Sequence, residues 1–319
     1  MAVAAPLTVD DVAAARDTIA GRLHRTPTLT SRTLGERVYL KAELFQRTGS
    51  FKPRGVLNKL AQLTPEEKAR GVISISAGNH AQAVAYCAAL EEIDALIVMW
   101  QGVSEQKLAA TRAYGANVDL AASDPAEAFV RLEELLEETG RTLVHPFDDP
   151  YIQAGQGTAA LELLEDVPEA EVVVVPIGGG GLISGIATAV KGLRPEARVI
   201  GVEPETSNAM RAALAAGERV EIVPRSIADG LNAPYAGRNA LEIVRRLVDD
   251  VVLVTDAEIA EAFRFLYARA KLACEAAGAA ATAALLTGKV PLERGEPVVA
   301  IVSGGNVAAA EAAAILAAR

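Results

Sequence analysis

An α/β protein, with parallel strands and helices packed on the faces of the sheet, is expected from three observations. From residue 71 onward, short apolar runs alternate with stretches of helical periodicity, which is the signature of β-α units. Several of the runs end in turns rich in glycine, serine and asparagine that lead straight into a helix. The chain of 319 residues is long enough for about two core-building units, which can be interleaved in sequence. Hydrophobic residues make up 51% of it and aromatics only 4%, so the core is expected to be built from Ala, Val, Leu and Ile.

Residues 8–23 open the chain as a helix: Thr8 can cap it, Asp10 and Asp11 suit the positive end of its dipole, and apolar residues recur at helical spacing. Residues 38–43 alternate as a strand does and deliver the chain to Thr48-Gly49-Ser50-Phe51-Lys52-Pro53-Arg54-Gly55, a turn before helical 56–63. Thr64-Pro65-Glu66-Glu67 combines a capping threonine, a proline at the first helical position and a glutamate three residues past the cap. Strands then read at 71–75, 95–100, 118–121 and 142–144, with helices from the 76–80 turn to residue 90 and at 105–114 and 125–138. After a helix at 151–164 comes the most strand-like segment, 171–176, which runs into Gly178-Gly179-Gly180-Gly181 and helical 182–193. Further strands read at 199–202, 251–254 and 298–302, and Thr255-Asp256-Ala257-Glu258 repeats the capping box before a long helix.

Composition excludes several classes of partner. Formal net charge is −10, with 41 acidic against 31 basic residues and no basic cluster, so a phosphate-backbone binder is not expected. Cys87 and Cys274 sit in apolar helical sequence without Cys or His at metal spacing, which reads as buried free thiols in a reducing compartment. The first residues lack a basic region followed by an apolar run, and the most apolar later stretch, 272–286, is interrupted by Glu275 and too short to span a bilayer. A cytoplasmic chain without a membrane partner is expected.

Three turns carry chemistry. Glycines 178–181, between a buried strand and a helix, would let a backbone approach a phosphate closely, with the N–H groups of the helix start pointing at it. Ser76-Ala77-Gly78-Asn79-His80 gathers hydroxyl, amide and backbone donors at another helix start and suits a carboxylate. Ser303-Gly304-Gly305-Asn306 is a third turn of the same kind. In open parallel sheets ligands sit off the carboxyl ends of strands, so these turns and Lys52 can face one cleft. A phosphate-bearing cofactor that joins a lysine amine and acts on a carboxylate substrate points to pyridoxal phosphate, held as a Schiff base. The competing dinucleotide reading notes that Glu203 follows the glycine loop by roughly 20 residues, as a ribose-binding acid would. That fingerprint belongs to a first β-α unit, however, and here the loop falls in mid-chain.

Ser50-Phe51-Lys52-Pro53-Arg54-Gly55, Ser76-Ala77-Gly78-Asn79-His80, Gly178 to Gly181 and Ser303-Gly304-Gly305-Asn306, in this order and spacing, resemble the serine/threonine dehydratase and serine racemase group of pyridoxal-phosphate enzymes. The likeness extends over nearly the whole chain, including Ala154-Gly155-Gln156-Gly157-Thr158 and Ala228-Asp229-Gly230. It implies the tryptophan-synthase β fold: two open parallel-sheet domains with helices on both faces and the cofactor in the cleft between them. It further implies a discontinuous large cofactor-binding domain, 1–66 with 150–319, and a small domain, 67–149, carrying the substrate-carboxylate turn.

By the same resemblance Lys52 carries the cofactor and later moves the substrate's α proton, Phe51 belongs to the cofactor-binding residues, Gly178, Gly179, Gly180 and Gly181 hold the phosphate, Asn79 contacts the ring hydroxyl and Ser303 the ring nitrogen. Ser76, Ala77, Gly78, Asn79 and His80 take the substrate carboxylate. The implied reaction is α,β-elimination from L-threonine or L-serine to a 2-oxo acid and ammonia. Racemases of the group carry a serine where this chain has Ala77, so racemisation is the alternative and a dehydratase the expectation; 3-hydroxyaspartate is a further candidate substrate. Several relatives bind a divalent cation through the glutamate matching Glu203 and an acid just downstream, and here Ser207, Asn208 and Ala209 supply no such acid. Glu275-Ala276 replaces the group's usual Glu-Pro, a change to which the residues alone attach no role. The resemblance also implies a homodimer or homotetramer. With the chain ending at Arg319, within a closing helix, no isoleucine-binding regulatory domain is expected.

Overall fold

Runs of Val, Ile and Leu too apolar to face water on either side become strands covered on both faces. The structure, a computed structural model, describes residues 6–318. Its elements begin α1 (Val9–Ile19), β1 (Thr28–Thr30), β2 (Val38–Ala42), α2 (Lys52–Ala61), α3 (Pro65–Arg70), β3 (Val72–Ile75), α4 (Asn79–Leu90), β4 (Ala95–Trp100), α5 (Glu105–Ala113), β5 (Asn117–Ala122), α6 (Pro125–Thr139) and β6 (Thr142–Leu143). They continue with α7 (Pro150–Asp166), β7 (Val172–Pro176), α8 (Gly181–Leu193), β8 (Arg198–Pro204), α9 (Ala209–Ala216), α10 (Arg238–Leu247), β9 (Asp250–Val254), α11 (Asp256–Phe265), α12 (Ala276–Leu286), β10 (Val298–Val302) and α13 (Ala309–Ala317).

Two sheets result. One has six strands in the order β1-β2-β10-β7-β8-β9, the other four in the order β5-β4-β3-β6. Val172 to Val175 and Val298 to Val302 are fully buried because β7 and β10 lie in the middle of the larger sheet. All pairings are parallel except β1 with β2. That antiparallel edge strand was not legible in the sequence: at three residues it is too short to show alternation. α1 also ends earlier than the expected 8–23, at Ile19, where Gly21 turns the chain with φ +70°. The capping boxes at Thr64 and Thr255 form as read, each threonine accepting from the N–H of the glutamate three residues on.

The expected long helix after Thr255 is interrupted. α11 stops at Phe265, a single wide π turn follows over Leu266–Ala270, and Lys271 ends it in the left-handed region at φ +60°. Such turns insert an extra residue and redirect the chain. Here the redirected segment carries Glu275 to the turn after β10, where its N–H donates to the Gly304 carbonyl.

Helix α7 is the hub between the segments that matter for the site. A methyl group on Gly155 would overlap the Arg54 carbonyl and Gly55, and one on Gly185 would overlap the backbone of Gln153 and Gly157. So α2 and α8 both touch α7 backbone to backbone, which only glycine permits. Beside this contact lies a buried charge network. Arg54, 1% exposed, donates to Glu43 at 2.8 and 2.9 Å and to Glu162 at 2.7 and 2.9 Å. Lys41, 0% exposed, donates to Glu162 at 2.8 Å and to the Thr26 carbonyl at 2.6 Å. Burial disfavours the Arg54 charge, but Glu43 and Glu162 outweigh it and hold the guanidinium above its ordinary range. Removing one partner of such a pair strands the others. Arg54→Ala is expected to lower folding stability by about 3–5 kcal/mol, measured as a lower urea midpoint at unchanged m-value.

Candidate active site

The order of strands in the larger sheet assembles the site. β10 lies between β2 and β7, with Val302 opposite Ala42 and Ala300 opposite Val174. The Ser303 turn therefore emerges between the arm that leads from β2 to Lys52 and the glycine loop after β7. Ser50 bridges Gly304, and the Phe51 N–H donates to the Ser303 carbonyl at 3.2 Å. Lys52 is the first residue of α2 rather than part of a preceding turn, with Pro53 in the first helical turn. Its Nζ donates to the Pro146 carbonyl at 2.8 Å, lies 5.2 Å from the Phe51 ring centre and forms no ion pair among the described residues. Burial pulls the ammonium down to about 8, against the opposing charge of Glu275.

The glycine loop lies directly beyond. A methyl on Gly179 or Gly181 would collide with Phe147, and Gly180 holds φ +97°. The backbone N–H groups from Gly178 to Ile183 make no hydrogen bond with any described residue. Such a run of consecutive unpaired donors at a helix start forms an anion site. Phe147 is braced by His145, 4.7 Å away edge to face, and by Tyr235 at 5.7 Å. His145 Nδ1 accepts from the N–H groups of Phe147 and Asp148, at 3.3 and 2.9 Å, which fixes this short loop.

On the other side of the cleft, the 76–80 turn stands at the end of β3, with the Gly78 N–H donating to Ser76 Oγ at 3.2 Å. The N–H groups of Ala77, Asn79 and His80 have no partner among the described residues. The His80 ring points away, its Nε2 donating to the Val144 carbonyl at 3.0 Å, and burial together with Lys52 pushes it down to about 3. Its part in the turn is thus its backbone. Asn79 donates to Glu275 Oε1 at 2.6 Å and accepts from Asn306 Nδ2 at 2.7 Å. Burial raises the Glu275 carboxyl to about 7, and the Asn79 hydrogen bond opposes the shift. Pro146 and Phe147 join the site without having been singled out from the sequence, whereas Asn306 was read only as part of the 303–306 turn and Glu275 was given no role. The replaced Glu-Pro pair was the one signal that marked position 275.

The sequence profile of the pyridoxal-phosphate dependent enzyme family matches residues 19–304. The chain belongs to this family. It is similar to the L-threonine ammonia-lyase of Thermotoga maritima, at 45% identity over 94% of this chain and 76% of that protein. It is also similar to the catabolic L-threonine dehydratase of Escherichia coli K12, at 44% identity over 95% of this chain and 94% of that protein. Among solved structures, maize serine racemase superposes with a TM-score of 0.91 and 36% identity over 96% of this chain and 95% of that one. A threonine deaminase from T.th. does so at 0.88 and 42% identity, over 94% and 99%. The two-sheet architecture is accordingly the tryptophan-synthase β type.

Pyridoxal phosphate is the family's cofactor, and the residues present fit it: unpaired N–H donors suit its phosphate, and a half-buried amine without a carboxylate partner suits its aldehyde. Membership in this family sets aside the nicotinamide reading. Glu203 instead accepts from the N–H groups of Met210 and Arg211, both at 2.8 Å, at the start of α9, while burial raises its carboxyl to about 8. Ser207 is likewise engaged, donating to the Leu231 carbonyl at 2.9 Å. Among the described residues no cluster of three or more His, Cys, Asp or Glu is placed to hold a metal ion.

The depressed value for Lys52 can be read directly in the cofactor-free protein. Competitive labelling of amines, followed by mass spectrometry of the Lys52 peptide, should show reactivity rising through a midpoint near 8, because only the neutral amine attacks. A midpoint at the ordinary 10.5 contradicts the burial argument.

Proposed function

We propose that this site removes water from a small β-hydroxy amino acid, L-threonine first and L-serine second, releasing a 2-oxo acid and ammonia. The observation that supports this best is the half-buried Lys52 amine, unpaired with any carboxylate among the described residues and bound to the carbonyl of Pro146, next to the Phe147 that packs on the glycine loop with its unpaired N–H run. Of the relatives named above, the two with the highest identity are an L-threonine ammonia-lyase at 45% and an L-threonine dehydratase at 44%, against 36% for the serine racemase.

When bound, pyridoxal phosphate supplies an electron sink for charge at the substrate's α carbon. In this reading the N–H groups of Gly178, Gly179, Gly180 and Gly181 hold its phosphate, Asn79 its ring oxygen, Ser303 its ring nitrogen, and Phe51 flanks the ring. A neutral serine keeps less charge in the ring than an aspartate would, which favours expelling the β-hydroxyl over returning a proton to the α carbon. The backbone donors of Ser76 to His80 take the substrate carboxylate. Lys52 takes the α proton, and its lowered pKa places a useful share of neutral amine near physiological pH. The division into a large domain, 1–66 with 150–319, and a small one, 67–149, sets this carboxylate turn on a body of its own. A working homodimer or homotetramer in the cytoplasm completes the reading. Exposed Phe45, Val223 and Tyr267 and the two unpaired buried thiols are in keeping with it.

Lys52→Ala is expected to abolish oxo-acid release and the visible absorbance of the purified protein. Turnover retained in that variant would sink the mechanism. Ala77 has a methyl group where a proton carrier would be needed for inversion, so L-serine should yield pyruvate with at most a trace of D-serine. Comparable yields of the two, measured by chiral chromatography, would make the protein a racemase instead.

A further inference from the structure

Asn79 has a carbonyl oxygen that accepts and an amide nitrogen that donates, and its own chemistry does not say which points where. Its neighbours do. Asn306 Nδ2 lies 2.6 Å from the Thr48 carbonyl, which can only accept, so an NH2 group must stand there. The same Nδ2 lies 2.7 Å from Asn79, which must therefore present its oxygen to it. At the other end Asn79 Nδ2 donates to Glu275 Oε1 at 2.6 Å. Asn306 Nδ2 thus donates both ways, to the Thr48 carbonyl and to Asn79 Oδ1, Asn79 Nδ2 donates onward to Glu275, and the Thr48 carbonyl, which can only accept, enforces the arrangement. The Thr48 carbonyl is itself aimed by two successive left-handed residues, Thr48 at φ +60° and Gly49 at φ +74°. A side chain at Gly49 would run into the Asn306 amide. With one Nδ2 hydrogen of Asn79 committed to Glu275, the second remains for the cleft. Turned over, Asn79 would set its NH2 against that of Asn306, whose own orientation the Thr48 carbonyl fixes.

We propose that Asn306 is a positioning residue that locks the Asn79 amide so that a hydrogen-bond donor faces the oxygen on the cofactor ring. The proposal rests on the reading of Asn79 given above. A donor at that oxygen favours its ionised form, whereas an acceptor would favour the protonated one. The visible band of the loaded protein therefore reports the amide's orientation independently of turnover.

The test compares the parent protein, Asn79→Ala, Asn306→Asp and the double variant, by spectrophotometric titration with pyridoxal phosphate. Asn306→Asp keeps the side chain's size and removes the donor. Each single variant is expected to bind the cofactor roughly tenfold more weakly, the loss of about one charge-assisted hydrogen bond, and to move the visible band in the same direction. Because Asn306 acts through Asn79, the double variant should bind no more weakly than Asn79→Ala. A normal band in Asn306→Asp beside a shifted one in Asn79→Ala, or losses that add in the double variant, overturns the proposal and leaves the Asn79 reading standing. Unchanged binding and band in Asn79→Ala removes that reading and the proposal with it. If Asn306→Asp does not fold, Asn306→Ala removes the donor without adding a charge and decides between the same outcomes.

Discussion

Two cations two residues apart on one helix are treated in opposite ways, and the site depends on the difference. Arg54 is surrounded by Glu43 and Glu162 and stays charged in a buried setting. Lys52 meets only a backbone carbonyl, and burial works unopposed except by the more distant Glu275. Carboxylates on the α7 and β2 side of α2, and none beside Lys52 Nζ, keep one helix anchored by charge and reactive at its tip. The network thus does two things: it fixes the helix and keeps its negative charge away from the amine.

The scarcity of aromatics has a structural counterpart. A core of Val, Ile, Ala and Gly packs elements closely, and strand after strand is covered on both faces. The few aromatics near the site act as walls. Phe147, held edge to face by His145 and Tyr235, fills the space that glycine side chains would have needed. Its position keeps the glycine loop bare of side chains while its N–H groups remain available. The same economy explains why the loop needs a run of glycines: Gly179 meets the Phe147 ring, Gly181 its backbone and Cβ, and Gly180 takes the left-handed angle.

Much of this was legible in the sequence because it is local. Ala95–Trp100 and Val298–Val302 announce themselves by continuous apolar character, and the Thr64 and Thr255 boxes by side chains three residues apart. Lys52 stood out by its neighbours, but its place inside α2 did not, since Pro53 reads equally well as a turn residue. What escaped depends on distant pairs. β1 exists because β2 offers it an edge. Glu275 enters the site because a π turn redirects the chain, and no spacing in the sequence marks that turn. Asn306 was visible as part of a turn, yet its partner Asn79 lies 227 residues away.

The backbone contacts at Gly55 with Gly155 and at Gly157 with Gly185 have a mechanical consequence. The lysine helix and the phosphate-site helix are both seated on α7 with no side chain in between to flex or change rotamer. At these points the spacing of α2 and α8 from α7 is set by main-chain thickness. The opposite wall is held differently: the 76–80 turn is tied across by hydrogen bonds through Asn79, and α5 by the ion pair of Lys107 with Asp229. One wall is joined main chain to main chain, and the other by side chains that can exchange partners.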